Sequence, residues 1–81
     1  MILTELPRGV EAVVESVEEH GSPDNIARRL RELGFVSGEP VRVVAFGPVA
    51  ADPILVQIGF TRFALRRAEA ARVRLRNGAS A

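Results

Sequence analysis

The spacing of apolar positions changes several times along the chain, and each change marks an element. Ile26, Leu30 and Leu33 recur at i, i+4 and i+7, with Arg28, Arg31 and Glu32 turned the other way. That period predicts one short amphipathic helix. Ser22 is its expected N-cap, with Pro23 at the first helical position and Asp24 near the positive end of the helix dipole. Gly34 is expected to end the helix in a left-handed conformation, and Phe35 to fold back towards Leu30 as in a Schellman turn. Gly38 and Pro40 then punctuate a second turn.

Elsewhere the period shortens towards two, the signature of strands. Val10–Val17 predicts a first strand, with a helix as the rival because Glu and Ala are present. Val41–Phe46 predicts a second. Ile54–Ile58 and Thr61–Arg66 flank Gly59-Phe60, which suits a type II′ hairpin. That turn sets Ile58 opposite Thr61, Val56 opposite Phe63 and Ile54 opposite Leu65 on an apolar face. Gln57 then faces Arg62, and Leu55 faces Ala64, on the other. Val73 and Leu75 alternate with Arg72, Arg74 and Arg76, which predicts a last, half-exposed strand. Met1–Gly9 is expected to be an extended lead-in tacked down by Leu3 and Leu6. Gly47–Pro53 is expected to be a loop, Arg67–Ala71 a single helical turn and Asn77–Ala81 a frayed tail. Phe46 and Phe63 are expected in the core. Five short strands cannot bury two separate faces at this length, so curling into a barrel is the economical solution. The predicted fold is mainly β with one short helix, a small five-stranded SH3-like barrel, with an OB-like barrel second.

Composition narrows the class. The chain has 81 residues, which supports one domain (1–81, core from about 8 to 76). Such a chain buries roughly 60% of its unfolded surface, so its core is marginal. It has no cysteine, which excludes disulfides and thiolate metal sites. No apolar run approaches the roughly 20 residues of a membrane-spanning helix, and the N-terminus lacks a signal-peptide pattern. A cytoplasmic protein is expected. The net charge is +1 and every basic residue is arginine. Acids gather at the front (Glu5, Glu11, Glu15, Glu18, Glu19) and arginines at the back (Arg62, Arg66, Arg67, Arg72, Arg74, Arg76). The surface is polarised only if the fold keeps the two groups apart.

Candidate chemistry is sparse. His20 is the only histidine and has no nucleophile beside it, so no enzyme is expected. Glu18-Glu19-His20 is a weak metal candidate best read as a solvated loop, and no metal or cofactor is expected. Polyproline recognition needs an aromatic groove, and the chain has no Trp or Tyr. Nucleic-acid binding is the main rival class, suggested by a pI near 9.0 and the arginine-rich last strand. The near-neutral charge and scarce aromatics argue against it. Protein association remains, since arginine is enriched at interface hot spots. The candidate surfaces are the helix face (Arg28, Arg31, Glu32), the Phe35-Val36 turn and the Arg66-Arg67 edge. An uncapped last strand leaves self-pairing into a homo-oligomer open.

The run RRLRELGFVSGEPVRVV, followed by a proline-flanked loop and DPILVQIGFTRFALRRAEAARVRL, resembles the FeoA family (ferrous iron transport protein A). The matching residues are Leu30, Leu33-Gly34, Gly38, Val41, Val43, Asp52-Pro53, Gly59, Leu65-Arg66, Glu69-Ala70 and Val73. The loop departs from the family's usual Pro-Leu-Gly-Asp-Pro, reading Pro48-Val49-Ala50-Ala51-Asp52-Pro53. The resemblance implies an SH3-like barrel and a small cytoplasmic accessory protein of bacterial ferrous iron uptake. The implied partner is the membrane transporter FeoB, which carries a cytoplasmic G-protein domain, and no small-molecule substrate is implied. A transition-metal label would then describe the pathway rather than ligands in this chain. The module also occurs fused to metal-responsive repressors, so a small nucleic-acid-binding or metal-responsive regulatory barrel is the alternative. With no room for a DNA-binding half, the stand-alone form is expected.

Overall fold

The computed structural model of the chain describes residues 1–21 and 23–76. Five antiparallel strands form one sheet: β1 (Glu11–Val17), β2 (Pro40–Val49), β3 (Asp52–Ile58), β4 (Thr61–Leu65) and β5 (Val73–Leu75). Helix α1 (Asn25–Leu33) follows β1, and a single helical turn, α2 (Arg67–Ala70), precedes β5. The spatial order is β4-β3-β2-β1-β5, so the first strand lies between the second and the last. This is the SH3-like arrangement the pattern predicts.

The hairpin from β3 to β4 has the expected register at every pair, from Ile58↔Thr61 to Ile54↔Leu65. Gly59 alone of the two turn residues has a positive φ (58°), as a II′ turn requires. The inward face of each strand supplies the core. Val14, Val41, Val43, Ile54, Val56, Leu65 and Val73 are fully buried beneath Leu30 and Phe35.

Helix α1 ends as predicted. The Phe35 N–H donates to Leu30 O and the Gly34 N–H to Arg31 O, both at 3.1 Å, with Gly34 at φ 115°. These two bonds make a Schellman turn, and glycine reaches that φ without a Cβ clash. The start differs. The helix begins at Asn25 and its N-cap is Asp24, whose carboxylate accepts from the Ile26 and Ala27 N–H groups. Ser22 lies outside the described residues, and Pro23 precedes the cap rather than opening the helix. The stripe is rotated too. Ala27 and Leu30 are buried and Leu33 half-buried, while Ile26 is 37% exposed. A small residue lets the helix sit close to the sheet, which turns Ile26 outward.

Three further expectations are corrected. Gly47–Pro53 is not a loop, because β2 runs to Val49 and β3 starts at Asp52 around Ala50 and Ala51, both at positive φ. Gly47 permits this arm, since a Cβ there would stand 2.5 Å from the carbonyl oxygens of Asp52 and Pro53. Phe46, on the arm, is 43% exposed rather than in the core, whereas Phe63 packs against the core. The lead-in is not extended throughout. Leu3–Glu5 form a 3-10 turn that buries Leu3, and Leu6 is buried beyond it.

The last strand is not uncapped. Ile2 pairs with Arg74, and the Leu75 N–H donates to Met1 O at 2.8 Å. No ladder joins β4 to β5 among the described residues, so the barrel stays open along the outer edge of β4. The predicted tail at Asn77–Ala81 lies outside the described residues.

Candidate partner-binding surfaces

The candidate residues gather around α1. On α1, Arg28 donates to Glu32 one helical turn on at 3.4 Å, and Arg31 lies 3.7 Å from Glu19. Arg29 reaches across to Glu69 at 2.6 Å and ties α1 to α2. Glu69 also accepts from the Arg66 backbone N–H at 3.0 Å, which brings the Arg66-Arg67 edge beside the helix face. Arg66 is exposed. Arg67 is half-buried, and its backbone N–H donates to Asp52 at 3.1 Å. Val36 is exposed on the turn after the helix, but Phe35 is wholly buried. The Schellman bond that fixes Phe35 is also what drives its ring into the core, so Phe35 is unavailable to a partner.

The fold does not keep the acidic front and the arginine-rich back of the chain apart. Because β1 pairs with β5, the acidic front of the chain meets its arginine-rich back. Glu18 accepts from His20 Nε2 at 2.8 Å and from Arg74 at 2.9 Å. The His20 bond first, and Arg74 second, hold its carboxyl below the usual range. Asp24 and Arg72 form an ion pair whose side chains are only 5% and 14% exposed. The Asp24 carboxylate also accepts from the His20 N–H at 2.6 Å. Hydrogen bonds from His20 and Ala27 amides, with Arg72 alongside, lower its pKa to about 2. This one carboxylate caps α1, fastens the loop before it and anchors the approach to β5.

The opposite side of the sheet is different. Arg42 stands opposite Gln57, and Gln57 opposite Arg62, so the three form a row across β2, β3 and β4. Arg62 Nε donates to Gln57 at 3.3 Å. Arg8 comes alongside because the Gly9 N–H donates to Val43 O at 2.9 Å. Arg8, Gly9, Arg42, Val43, Val44 and Arg62 line an open groove of about 390 Å³. Among the described residues, none of these three arginines makes an ion pair. The sequence reading missed this groove. Half of its signal was present in the Gln57–Arg62 pairing. The other half needed the β2–β3 register, which a loop at 47–53 conceals.

The FeoA domain family matches residues 1–77 of the chain. A Porphyromonas gingivalis protein named Fe(2+) transport protein A/Fe(2+) transporter FeoB fusion protein is 37% identical over 73 residues. The alignment spans 90% of this chain but only 8% of that protein. A crystal structure of Stenotrophomonas maltophilia FeoA complexed with zinc, described as a prokaryotic SH3 domain protein, is 61% identical with a TM-score of 0.89. It covers 98% of this chain and 93% of its own. The solution structure of iron(II) transport protein A from Clostridium thermocellum is 33% identical with a TM-score of 0.80, covering 93% of this chain and 44% of that one. Among the described residues here, no three His, Asp or Glu side chains converge as a metal site. No helix among them is long and apolar enough to cross a membrane. The match over nearly the whole described length, with the shared barrel, shows that this chain belongs to the FeoA domain family.

Proposed function

We propose that the chain is a non-enzymatic accessory module of ferrous iron uptake that docks on the cytoplasmic G-protein domain of the FeoB transporter. The observation that carries this reading is the Porphyromonas gingivalis relative, in which the A and B proteins are one polypeptide. Fusion holds two partners at high effective concentration, which favours pairs that already associate. The structure supplies a small barrel with charged outer faces. Its only histidine is engaged by Glu18, and it has no cysteine. Iron is the transporter's cargo in this reading and not a ligand of the chain.

The test is retention of the full chain by detergent-solubilised, full-length transporter at 50 and 150 mM salt. Saturable retention is expected, and none at either salt overturns docking. GTP hydrolysis measured with and without the chain then separates two modes. A faster rate marks a chain that stimulates the GTPase, as a transition-state arginine would. An unchanged rate marks one that only docks.

A further inference from the structure

Arginine is the residue best suited to hold carboxylates, because its planar fork matches both oxygens. Five of the eleven arginines of this chain are used in that way internally. Arg28, Arg29, Arg31, Arg72 and Arg74 each reach a carboxylate of the same chain. Arg8, Arg42 and Arg62 converge on one groove and reach none. Glu11 stands opposite Arg42 in the β1–β2 register, yet makes no ion pair with it. The groove therefore keeps an excess of two positive charges. Strand pairing fixes the backbone of the row, and the Arg62–Gln57 bond partly orders the Arg62 guanidinium before anything binds.

The shape narrows the occupant. The groove is open and has no buried polar side chain aimed into it, unlike the enclosed pockets that take small molecules. Its positive row is only three strands wide and ends at Glu11, which is too short for a nucleic-acid backbone track. No aromatic side chain lines it for base stacking. We propose that the groove between Arg8, Arg42 and Arg62 receives an acidic segment of the protein on which the chain docks, an inference that rests on the docking reading above. Two or three carboxylates spaced along an extended or helical segment would match the row.

The test has two arms. In the first, the full chain is titrated with a deca-glutamate peptide at 50 mM salt and followed by amide NMR, with a ten-residue oligothymidylate as competitor. Shifts at residues 8–9, 42–44 and 62 are expected, lost in an Arg42→Glu/Arg62→Glu variant. Shifts confined to α1, or tighter binding of the oligothymidylate in the groove, overturn the proposal. In the second arm, affinity for full-length transporter should fall at least tenfold in that variant. An Arg76→Glu control should stay within twofold. Arg42→Gln/Arg62→Gln, which adds no repulsion, should show an intermediate loss, and circular dichroism checks that each variant folds. If the native chain binds the transporter and both double variants bind equally well, the groove proposal is overturned and docking stands. If the native chain ignores the transporter while the peptide lands in the groove, the transporter reading falls and the acidic preference stands.

Discussion

The two sides of this small barrel treat the same residue type in opposite ways. Around β1, β5 and α1, arginines meet carboxylates from distant parts of the chain, as in Asp24–Arg72, Glu18–Arg74 and Arg29–Glu69. Across β2, β3 and β4, arginines stand in a row with a glutamine between them and no acid bound. The first side adds charge pairs to elements that already share the core through Val14, Leu30, Val73 and Leu75. The second side is fastened by the longest strand pairings in the molecule, so its charges are free for another use. A count of charges along the chain misses this, because net charge is nearly balanced while its local distribution is not.

The largest expected effect strikes the foundation of the second side. Gly47→Ala forces a Cβ against two carbonyl oxygens of β3. It should cost about 1–3 kcal/mol in chemical denaturation, as overpacking does, and loosen the register that aligns Arg42 with Gln57. Next comes the paired side. Asp24→Ala removes a cap, a loop clasp and an ion pair together, and should lower the thermal midpoint clearly. Arg42→Ala, on the free side, should stay within about 0.5 kcal/mol of the parent. Equal effects from these two would erase the contrast drawn here.

Acid titration sharpens it further. Asp24 is held at about 2, below its ordinary 3.8, so the folded chain favours its ionised form. Its contribution is complete above pH 4 and lost as pH falls through about 2. Denaturation followed from pH 5 to pH 1.5 should show this loss in the parent and not in Asp24→Asn. The smallest effect belongs to Arg28→Ala, which breaks an exposed i,i+4 pair with Glu32 and should cost about 0.3–0.5 kcal/mol.

Local signals in the sequence reached a long way. The Gly34–Phe35 helix stop, the β3–β4 register and the alternating last strand are all set by neighbours within a few positions. What stayed hidden depends on competition or on distance. Ser22 and Asp24 are both good N-caps, and Asp24 is the one whose carboxylate can also be met by Arg72, 48 positions away. Ile26 outweighs Ala27 in any hydrophobic count, but a closely packed helix favours the smaller side chain inside. Two prolines disguised the β2–β3 arm, whose turn rests on two alanines in a conformation they rarely adopt. Phe35 sits at the expected turn but in the core and not at the surface, since the helix stop that positions it also buries it.

The central position of β1, between β2 and β5, has a consequence for synthesis. A chain emerging from the ribosome makes its first strand early and cannot finish pairing it until residue 75 is outside the exit tunnel. Until then one side of that strand, and the Asp24 carboxylate beside it, wait without their partners. Until β5 is free to pair, that edge of β1 stays open, and the nascent domain is exposed there to proteases and chaperones.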